Sequence, residues 1–131
     1  MPKYMLLLYA DEPSPQEQEE REAEMPRWIE FTESLRDAGV LLGSNRLHPV
    51  DVATTLRVRG GETEIVDGPF AMTKEFLGGY YMLECADLNE ALAHAARVPL
   101  ARYGSVEVRP IAEFPPAPAQ AGDRSAASAQ A

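Results

Sequence analysis

Apolar positions in two segments of the chain predict strands that are buried on both faces. The segments are Lys3 to Ala10 and Glu75 to Glu84, and apolar residues occupy both odd and even positions in each. Successive side chains of a strand point to opposite faces of the sheet. A sheet with one face in water would alternate apolar and polar residues instead. Both faces of the predicted sheet are therefore expected to be covered.

Two helical regions interrupt the strands. Ser14 and Glu17 form a capping box at the start of the first region, and its apolar spacing continues to Gly39, which favours termination. Pro26 lies inside this pattern and is expected to kink or divide the helix. A second capping box, at Asp87 and Glu90, begins a helix that ends before Pro99.

A hairpin is predicted over Thr54 to Val66 around the Gly60-Gly61 dipeptide, which suits a two-residue turn. Folding about this turn places residues of opposite charge or similar hydrophobicity across from one another. The predicted pairs are Arg59 with Glu62, Arg57 with Glu64, and Leu56 with Ile65.

A strand followed by a loop is predicted at 40–49 and a last strand at 104–112, so the order of elements is β-α-β, a hairpin, then β-α-β. This order predicts an α+β fold, a ferredoxin-like split βαβ domain with an inserted hairpin. Helices cover one face of such a sheet, so the second apolar face predicts a partner, most simply another copy of the chain. We expect a face-to-face homodimer with a cleft near the sheet edges.

The length of 131 residues fits one domain, assigned to 1–113. Residues 114–131 are rich in Ala, Pro, Ser and Gln and predict a disordered tail. The net charge is −9, and residues 11–37 hold ten acids against three arginines. This acidity argues against nucleic acid as a partner, and it is typical of a solvated helix face.

The sequence does not have the segments that are typical of membrane-spanning or secreted proteins. No apolar run approaches the ~20 residues that span a bilayer, so no membrane association is expected. The amino terminus does not have the pattern of a secretory signal, and Cys85 is the single cysteine. Both observations predict a cytoplasmic protein.

Two motifs, "DGPFAMTKEFLGGYYMLE" (67–84) and "RYGSVEVRP" (102–110), carry a family resemblance. The chain resembles the YCII-related family over residues 3–112, and specifically its branch named after the DGPF motif. The resemblance implies ferredoxin-like subunits that form a dimeric α/β barrel. It implies no assigned activity, although an acid-histidine pairing suggests an enzymatic role in the wider family. It also implies a link to extracytoplasmic-function sigma factors, and hence regulation.

Two departures from the family pattern bear on any mechanism. Met72 stands where the motif usually has Glu, which removes one acid from the loop. The first helix lacks the His that the wider family carries there. His48 and His94 lie elsewhere in the sequence, so the acid-histidine pair does not transfer directly.

Asp67 is the candidate catalytic residue, as a general acid/base in a dry cleft. Its alternative role is an Asx-type turn before Gly68-Pro69, and turn chemistry explains this tripeptide without further help. Phe70 is expected to anchor the loop to the core. Lys74 either holds an anionic ligand or pairs with Glu75 or another acid.

The remaining candidates for ligand contact are His48, Tyr80, Tyr81 and Arg102. His48 either lies at the cleft mouth or is an ordinary surface residue. Tyr80 and Tyr81 must face opposite sides of the sheet, one under the helices and the other toward the dimer interior. Arg102 contacts an anion or forms a salt bridge at the rim.

No cofactor and no metal are predicted. The two His and the Cys lack the short spacings of a zinc site. Neither a phosphate-binding glycine loop nor a serine nucleophile elbow occurs, and Gly78-Gly79 instead predicts a bulge or a close backbone approach. The leading interpretation is a homodimer that binds a small organic molecule, an anion among the candidates, beneath the 67–75 loop. The competing one is a non-catalytic regulatory or sensing module with a protein partner.

Overall fold

A computed structural model describes residues 1–113 of the protein. The tail predicted at 114–131 lies outside the described residues. Four antiparallel strands form the main sheet in the spatial order β2-β5-β1-β6. These strands are β1 (Lys3–Ala10), β2 (Leu41–Arg46), β5 (Phe76–Glu84) and β6 (Ser105–Pro110), while β3 (Thr54–Arg59) and β4 (Glu62–Asp67) form a separate two-stranded sheet.

Three α-helices accompany these strands within residues 1–113: α1 (Pro15–Glu22), α2 (Met25–Asp37) and α3 (Leu88–Ala95). The division predicted at Pro26 is confirmed, because α1 ends and α2 begins just before it. The capping box of Ser14 and Glu17 is present, with bonds of 3.2 and 2.9 Å. Asp87 caps α3 by accepting from the Glu90 amide at 2.9 Å.

The core lies between the main sheet and the helices. Even-numbered side chains of β1, such as Leu6, are buried there, whereas its odd-numbered side chains are half-buried on the opposite face. The buried set is Tyr4, Leu6, Leu8, Phe31, Leu35, Val40, Tyr81, Leu83, Cys85, Ala91, Ala95, Val98 and Leu100. Within residues 1–113, one face of the sheet thus packs on helices and the other does not.

The hairpin has the predicted register: the three expected pairs, Arg59 with Glu62, Arg57 with Glu64 and Leu56 with Ile65, are all present. Gly60 and Gly61 both have positive φ, which explains the glycines at this turn. The side chains of Leu56 and Ile65 are 59% and 64% exposed. The hairpin therefore projects its apolar residues into solvent in the single chain.

The irregularity predicted at Gly78-Gly79 is confirmed. Leu8 pairs with Gly79 but Tyr9 pairs with Leu77, so Gly78 is the extra residue of a bulge. A Cβ on Gly79 would lie 2.8 Å from the carbonyl oxygen of Asn45. Glycine at this position lets β2 approach β5.

These elements form a mixed α/β domain with antiparallel sheets, compatible with the predicted ferredoxin-like α+β fold. None of the helices in residues 1–113 is long and apolar enough to cross a membrane. The fold brings the end of β1 together with the starts of β5 and β6: Ala10 pairs with Phe76, and Tyr9 with Ser105.

Candidate functional site

A pocket of about 220 Å³ lies beside the end of β1 and the start of β6. We call it the Glu24 pocket. Its lining comes from α1, from the break between α1 and α2, and from the segment before β6. The lining residues are Glu17, Glu20, Arg21, Glu24, Arg102 and Tyr103.

Arg21 is held in place at this pocket by three contacts. Its guanidinium donates to the Asp11 carboxylate at 2.8 Å and to the Asp11 carbonyl oxygen at 3.0 Å. The same group stacks over the Tyr103 ring, 4.5 Å from its centre. Asp11 directly follows β1, so the end of the strand positions this arginine.

Glu24 is the least exposed acid of the pocket, and only one of its two carboxylate oxygens has a hydrogen-bond partner among the described residues. Its Oε2 accepts a hydrogen bond from the Arg102 guanidinium. Its Oε1 is buried and has no hydrogen-bond partner among the described residues. The side chain as a whole is 21% exposed. A buried acceptor without a donor costs about 1–3 kcal/mol, so this oxygen favours a ligand or water that donates to it.

Tyr103 gives the pocket an aromatic wall and a hydroxyl. Burial raises the pKa of this hydroxyl above its ordinary value, and the Arg21 charge opposes that shift. The tyrosine therefore stays neutral at physiological pH and can donate or accept a hydrogen bond. The pocket as a whole can bind a polar molecule through charged and neutral groups.

The DGPF loop reaches the same end of the sheet as the Glu24 pocket. The loop runs from Asp67 into β5, and the Ser105 hydroxyl donates to its Glu75 carboxylate at 2.8 Å. Phe70 is 77% exposed and Met72 is 83% exposed. The expectation that Phe70 anchors the loop to the core is wrong within residues 1–113, because no side chain of these residues covers the ring.

Asp67 is the last residue of β4, and its side chain is exposed. The turn that follows is held by the Gly68 amide, which donates to the Ala53 carbonyl at 2.7 Å, and by the Thr55 hydroxyl, which donates to the Gly68 carbonyl at 2.8 Å. Gly68 has φ of 105°, a conformation that suits glycine. The geometry of this turn thus rests on Thr55 and Gly68.

Because of this arrangement, we expect Asp67→Asn to change the free energy of unfolding by less than about 0.5 kcal/mol, as exposed substitutions usually do. Gly68→Ala is the matched comparison and should cost about 1–3 kcal/mol, because alanine is strained at positive φ. Urea unfolding monitored by circular dichroism measures both. An Asp67→Asn loss as large as that of Gly68→Ala would contradict a turn held by Thr55 and Gly68.

The two tyrosines face opposite sides of the sheet, as predicted. Tyr81 lies in the core, where its hydroxyl is 2.7 Å from the Thr32 hydroxyl. Burial raises the pKa of Tyr81, and the hydrogen bond to Thr32 offsets part of this increase. Tyr80 lies on the face without helices and accepts from the Asn45 amide at 2.8 Å. Contact of Tyr80 or Tyr81 with a ligand stays a prediction.

The other predicted residues lie apart in the fold. His48 follows β2 and is exposed, and Lys74 is exposed in the DGPF loop. Arg102, among the predicted ligand contacts, does line the Glu24 pocket. The prediction missed Arg21, Glu24 and Tyr103. The break at Pro26 could have indicated Glu24 as a site residue, because residues between two helices can turn toward neighbouring segments of the chain.

A second group of polar side chains was also missed. The ligand atoms of Cys85, Glu90 and His94 all lie within 4.8 Å of one another. The absence of short His and Cys spacings suggested no metal site. That argument left out the carboxylate, and Glu90 and His94 stand four residues apart on one side of α3.

Comparison with known proteins identifies the family. Residues 3–115 match the model of the YCII-related domain. An uncharacterized protein of Rhizobium meliloti (strain 1021) is 43% identical over 117 residues, which cover 86% of this chain and 94% of the relative. The chain therefore belongs to the YCII-related family.

Proposed function

We propose that the protein is a small-molecule-binding homodimer whose ligand occupies the Glu24 pocket. The observation that carries this proposal is the buried Oε1 of Glu24, which has no donor among residues 1–113, while Oε2 accepts from Arg102. An acceptor held in this way is suited to a ligand that brings its own N–H or O–H group.

The charges of the pocket indicate the class of ligand. Three glutamates and two arginines line it, and Asp11 adds a further acid bound to Arg21. An ammonium group satisfies Glu24 and balances this excess of negative charge. A carboxylate on the same ligand can reach toward Arg102 or Arg21, which favours a small zwitterion. A purely anionic ligand, one of the candidates from the sequence, is disfavoured by the same charges.

The pocket size favours a small metabolite. Its volume of about 220 Å³ is smaller than the ~300–1,000 Å³ of pockets that hold drug-sized ligands. Arg21 and Tyr103 are pre-organised by their stacking, so little ordering is required when the ligand binds.

A homodimer is supported by the faces that the single chain leaves uncovered. The side of the main sheet away from the helices is apolar where Leu7 of β1 lies opposite Tyr80 of β5, and Glu107 follows on the edge strand β6. Charges of both signs flank this centre, with Lys3 opposite Glu84 and Arg109 opposite Met5. An apolar centre with mixed charges at the rim is self-complementary across a twofold axis.

The exposed hairpin supports the same assembly. An isolated two-stranded hairpin is marginally stable in water, yet Leu56 and Ile65 remain exposed on this one. A second copy that covers the hairpin or the DGPF loop would remove this apolar surface from water. The finer assignments, a dimeric barrel and the DGPF-motif branch, are part of this proposal.

Matched ligands test the pocket. We expect alanine, which has an ammonium group and a carboxylate, to bind more tightly than propionate, which keeps the acid alone. Glu24→Gln should weaken alanine binding by about tenfold or more, because a hydrogen bond to a charged group contributes roughly 1.5–3 kcal/mol. Isothermal titration calorimetry measures these affinities, and Glu30→Gln, at an exposed position of α2, is the control.

Two outcomes would contradict this pocket assignment. One is equal binding of alanine and propionate, and the other is equal loss of affinity in Glu24→Gln and Glu30→Gln. A thermal-shift screen of amines and amino acids extends the test if the affinity for alanine is too low for calorimetry. The failure of every ammonium compound in that screen would also contradict it.

A regulatory module that binds a protein partner is the second candidate. The exposure of Phe70 and Met72 favours it, because two large apolar side chains exposed on one loop, two residues apart in the sequence, suit a protein contact. Acid/base catalysis by Asp67 belongs to the first candidate and requires turnover that Asp67→Asn abolishes. Phe70→Ala with Met72→Ala would weaken a protein contact while leaving the affinity for a small ligand unchanged.

A further inference from the structure

Three side chains with different ligand atoms meet at the start of α3. They are Cys85, Glu90 and His94, and we call them the Cys85 cluster. Their ligand atoms lie within 4.8 Å of one another; Cys85 is fully buried, while Glu90 and His94 are half-buried. The cluster does not share residues with the Glu24 pocket, so an inference about it stands apart from the proposed function.

Local structure explains why these residues converge. Cys85 directly follows β5 and is fixed by its amide, which donates to the Pro2 carbonyl at 3.1 Å. Asp87 then begins α3 as its N-cap. Glu90 and His94 are one helical turn apart, so both point to the same side, toward the cysteine.

We propose that the Cys85 cluster is a binding site for Zn²⁺, with thiolate, carboxylate and imidazole ligands and water at a fourth position. Tetrahedral coordination at Zn–S of ~2.3 Å and Zn–N or Zn–O of ~2.0 Å places ligand atoms roughly 3.3–3.6 Å apart. The ligand atoms, now within 4.8 Å of one another, would have to approach by up to roughly 1.5 Å through side-chain rotation to reach that geometry. Thiolate and imidazole favour zinc and similar transition metals over Mg²⁺ or Ca²⁺.

The charges around the cluster are compatible with a divalent cation. The thiolate and the Glu90 carboxylate neutralise two positive charges, and Asp87 contributes a further negative charge nearby. The metal-free chain keeps the proton on sulfur: burial, then the Glu90 charge, raises the pKa of Cys85 to about 11. Binding forms a Zn–S bond, breaks the S–H bond and releases this proton to solvent.

Arg97 is the positively charged residue beside the cluster, and its charge disfavours a cation there. Its guanidinium lies 3.0 Å from Nδ1 of His94; burial, and after it this positive charge, lowers the pKa of that histidine. A guanidinium can only donate, so Nδ1 accepts in the metal-free chain. Arg97 also donates to the Ser34 hydroxyl at 3.0 Å and stacks over Phe31 at 5.1 Å. These two contacts retain the arginine when His94 turns to the metal.

Cobalt is the spectroscopic probe for this site, because Co²⁺ replaces Zn²⁺ with similar geometry and its bond to thiolate absorbs in the near ultraviolet. Titration of the full chain with CoCl₂ should give one site with a sulfur-to-cobalt charge-transfer band. Zn²⁺ should abolish that band by displacement, in line with its stronger binding. Cys85→Ser should eliminate the band, and His94→Ala should weaken binding by at least about tenfold.

His48→Ala is the matched control, since His48 is the other histidine and is exposed on a loop. It should leave both the band and the affinity unchanged. Circular dichroism verifies that each variant is folded. If Cys85→Ser does not fold, the cobalt affinities of Glu90→Gln and His94→Ala test the site instead. The absence of a charge-transfer band in the wild type, or equal losses in His94→Ala and His48→Ala, would overturn the proposal.

Discussion

Gly104→Ala is expected to destabilise the protein by about 3 kcal/mol, at the upper end of what overpacking usually costs. A Cβ at this position would collide with the backbone carbonyl oxygen of Tyr9 and would lie 2.8 Å from Cδ2 of Leu100. The Tyr9 oxygen cannot retreat easily, because Tyr9 pairs with Ser105 in the sheet. Accommodation would therefore require the start of β6 to move away from β1.

Gly43→Ala is the control for this substitution. Gly43 lies in β2 of the main sheet, whereas Gly104 directly precedes β6, and nothing is within 4 Å of the position that the Cβ of residue 43 would occupy. We expect a change of less than about 1 kcal/mol, in either direction, because only backbone entropy and β-propensity differ. Urea unfolding at equilibrium measures both variants. Similar free energies of unfolding for the two would contradict the steric explanation.

Gly104→Ala should also impair the Glu24 pocket, because Tyr103 and Arg102 immediately precede the displaced glycine. The "RYGS" segment thus has a physical explanation. Arginine and tyrosine line the pocket, and glycine permits the close approach of the chain to β1 that places them there. A weaker response to alanine in the calorimetric assay, at a temperature where the variant is folded, would show this coupling.

The strands, helices and hairpin could be predicted because local signals and the hydrophobic pattern agree. Ser14 with Glu17 and the Gly60-Gly61 turn each fix a boundary through contacts with near neighbours in the sequence. The Gly78 bulge could be anticipated for the same reason, since glycine pairs inside a strand have few other uses. These elements do not depend on distant parts of the chain.

The candidate site could be predicted only in part, because it depends on contacts between distant residues. Glu24 and Arg102 are 78 positions apart, and no local pattern indicates that they pair. The acids of α1 resemble an ordinary solvated face, and only the fold distinguishes Glu24 from its exposed neighbours. The expectation for Phe70 was wrong for a related reason: an aromatic residue next to a turn suggests an anchor, whereas the part of the chain that the structure describes leaves its ring exposed.

The second large effect is expected from Leu7→Lys, which should convert the proposed dimer to monomers. Leu7 lies in β1 between Tyr80 and Glu107, on the face of the sheet away from the helices. Its neighbours Leu6 and Leu8 are buried in the core on the opposite face, so the substitution leaves the packing of β1 against the helices intact. Two lysines, one from each copy, would then enter the interface, where the Glu107 carboxylate opposite each would offset only part of the cost of burying their charge.

The expected weakening of the dimer is at least about tenfold, equivalent to roughly 1.4 kcal/mol, because two lysine charges lose water at the interface and Glu107 compensates them only in part. Light scattering should give a mass near twice 14.4 kDa for the wild type and near 14.4 kDa for Leu7→Lys. Leu92→Lys is the matched control, on the exposed surface of α3, where Leu92 is 46% exposed. It should remain dimeric.

The same experiment separates the dimer from ligand binding. Arg21, Glu24, Arg102 and Tyr103 all come from one chain, so a monomeric Leu7→Lys variant should still bind alanine if the single chain completes the pocket. If the Leu7→Lys variant loses both dimerisation and alanine binding, the second copy supplies part of the site. A monomeric wild type at micromolar concentration, or a Leu7→Lys variant that stays dimeric, would refute assembly through this face of the sheet.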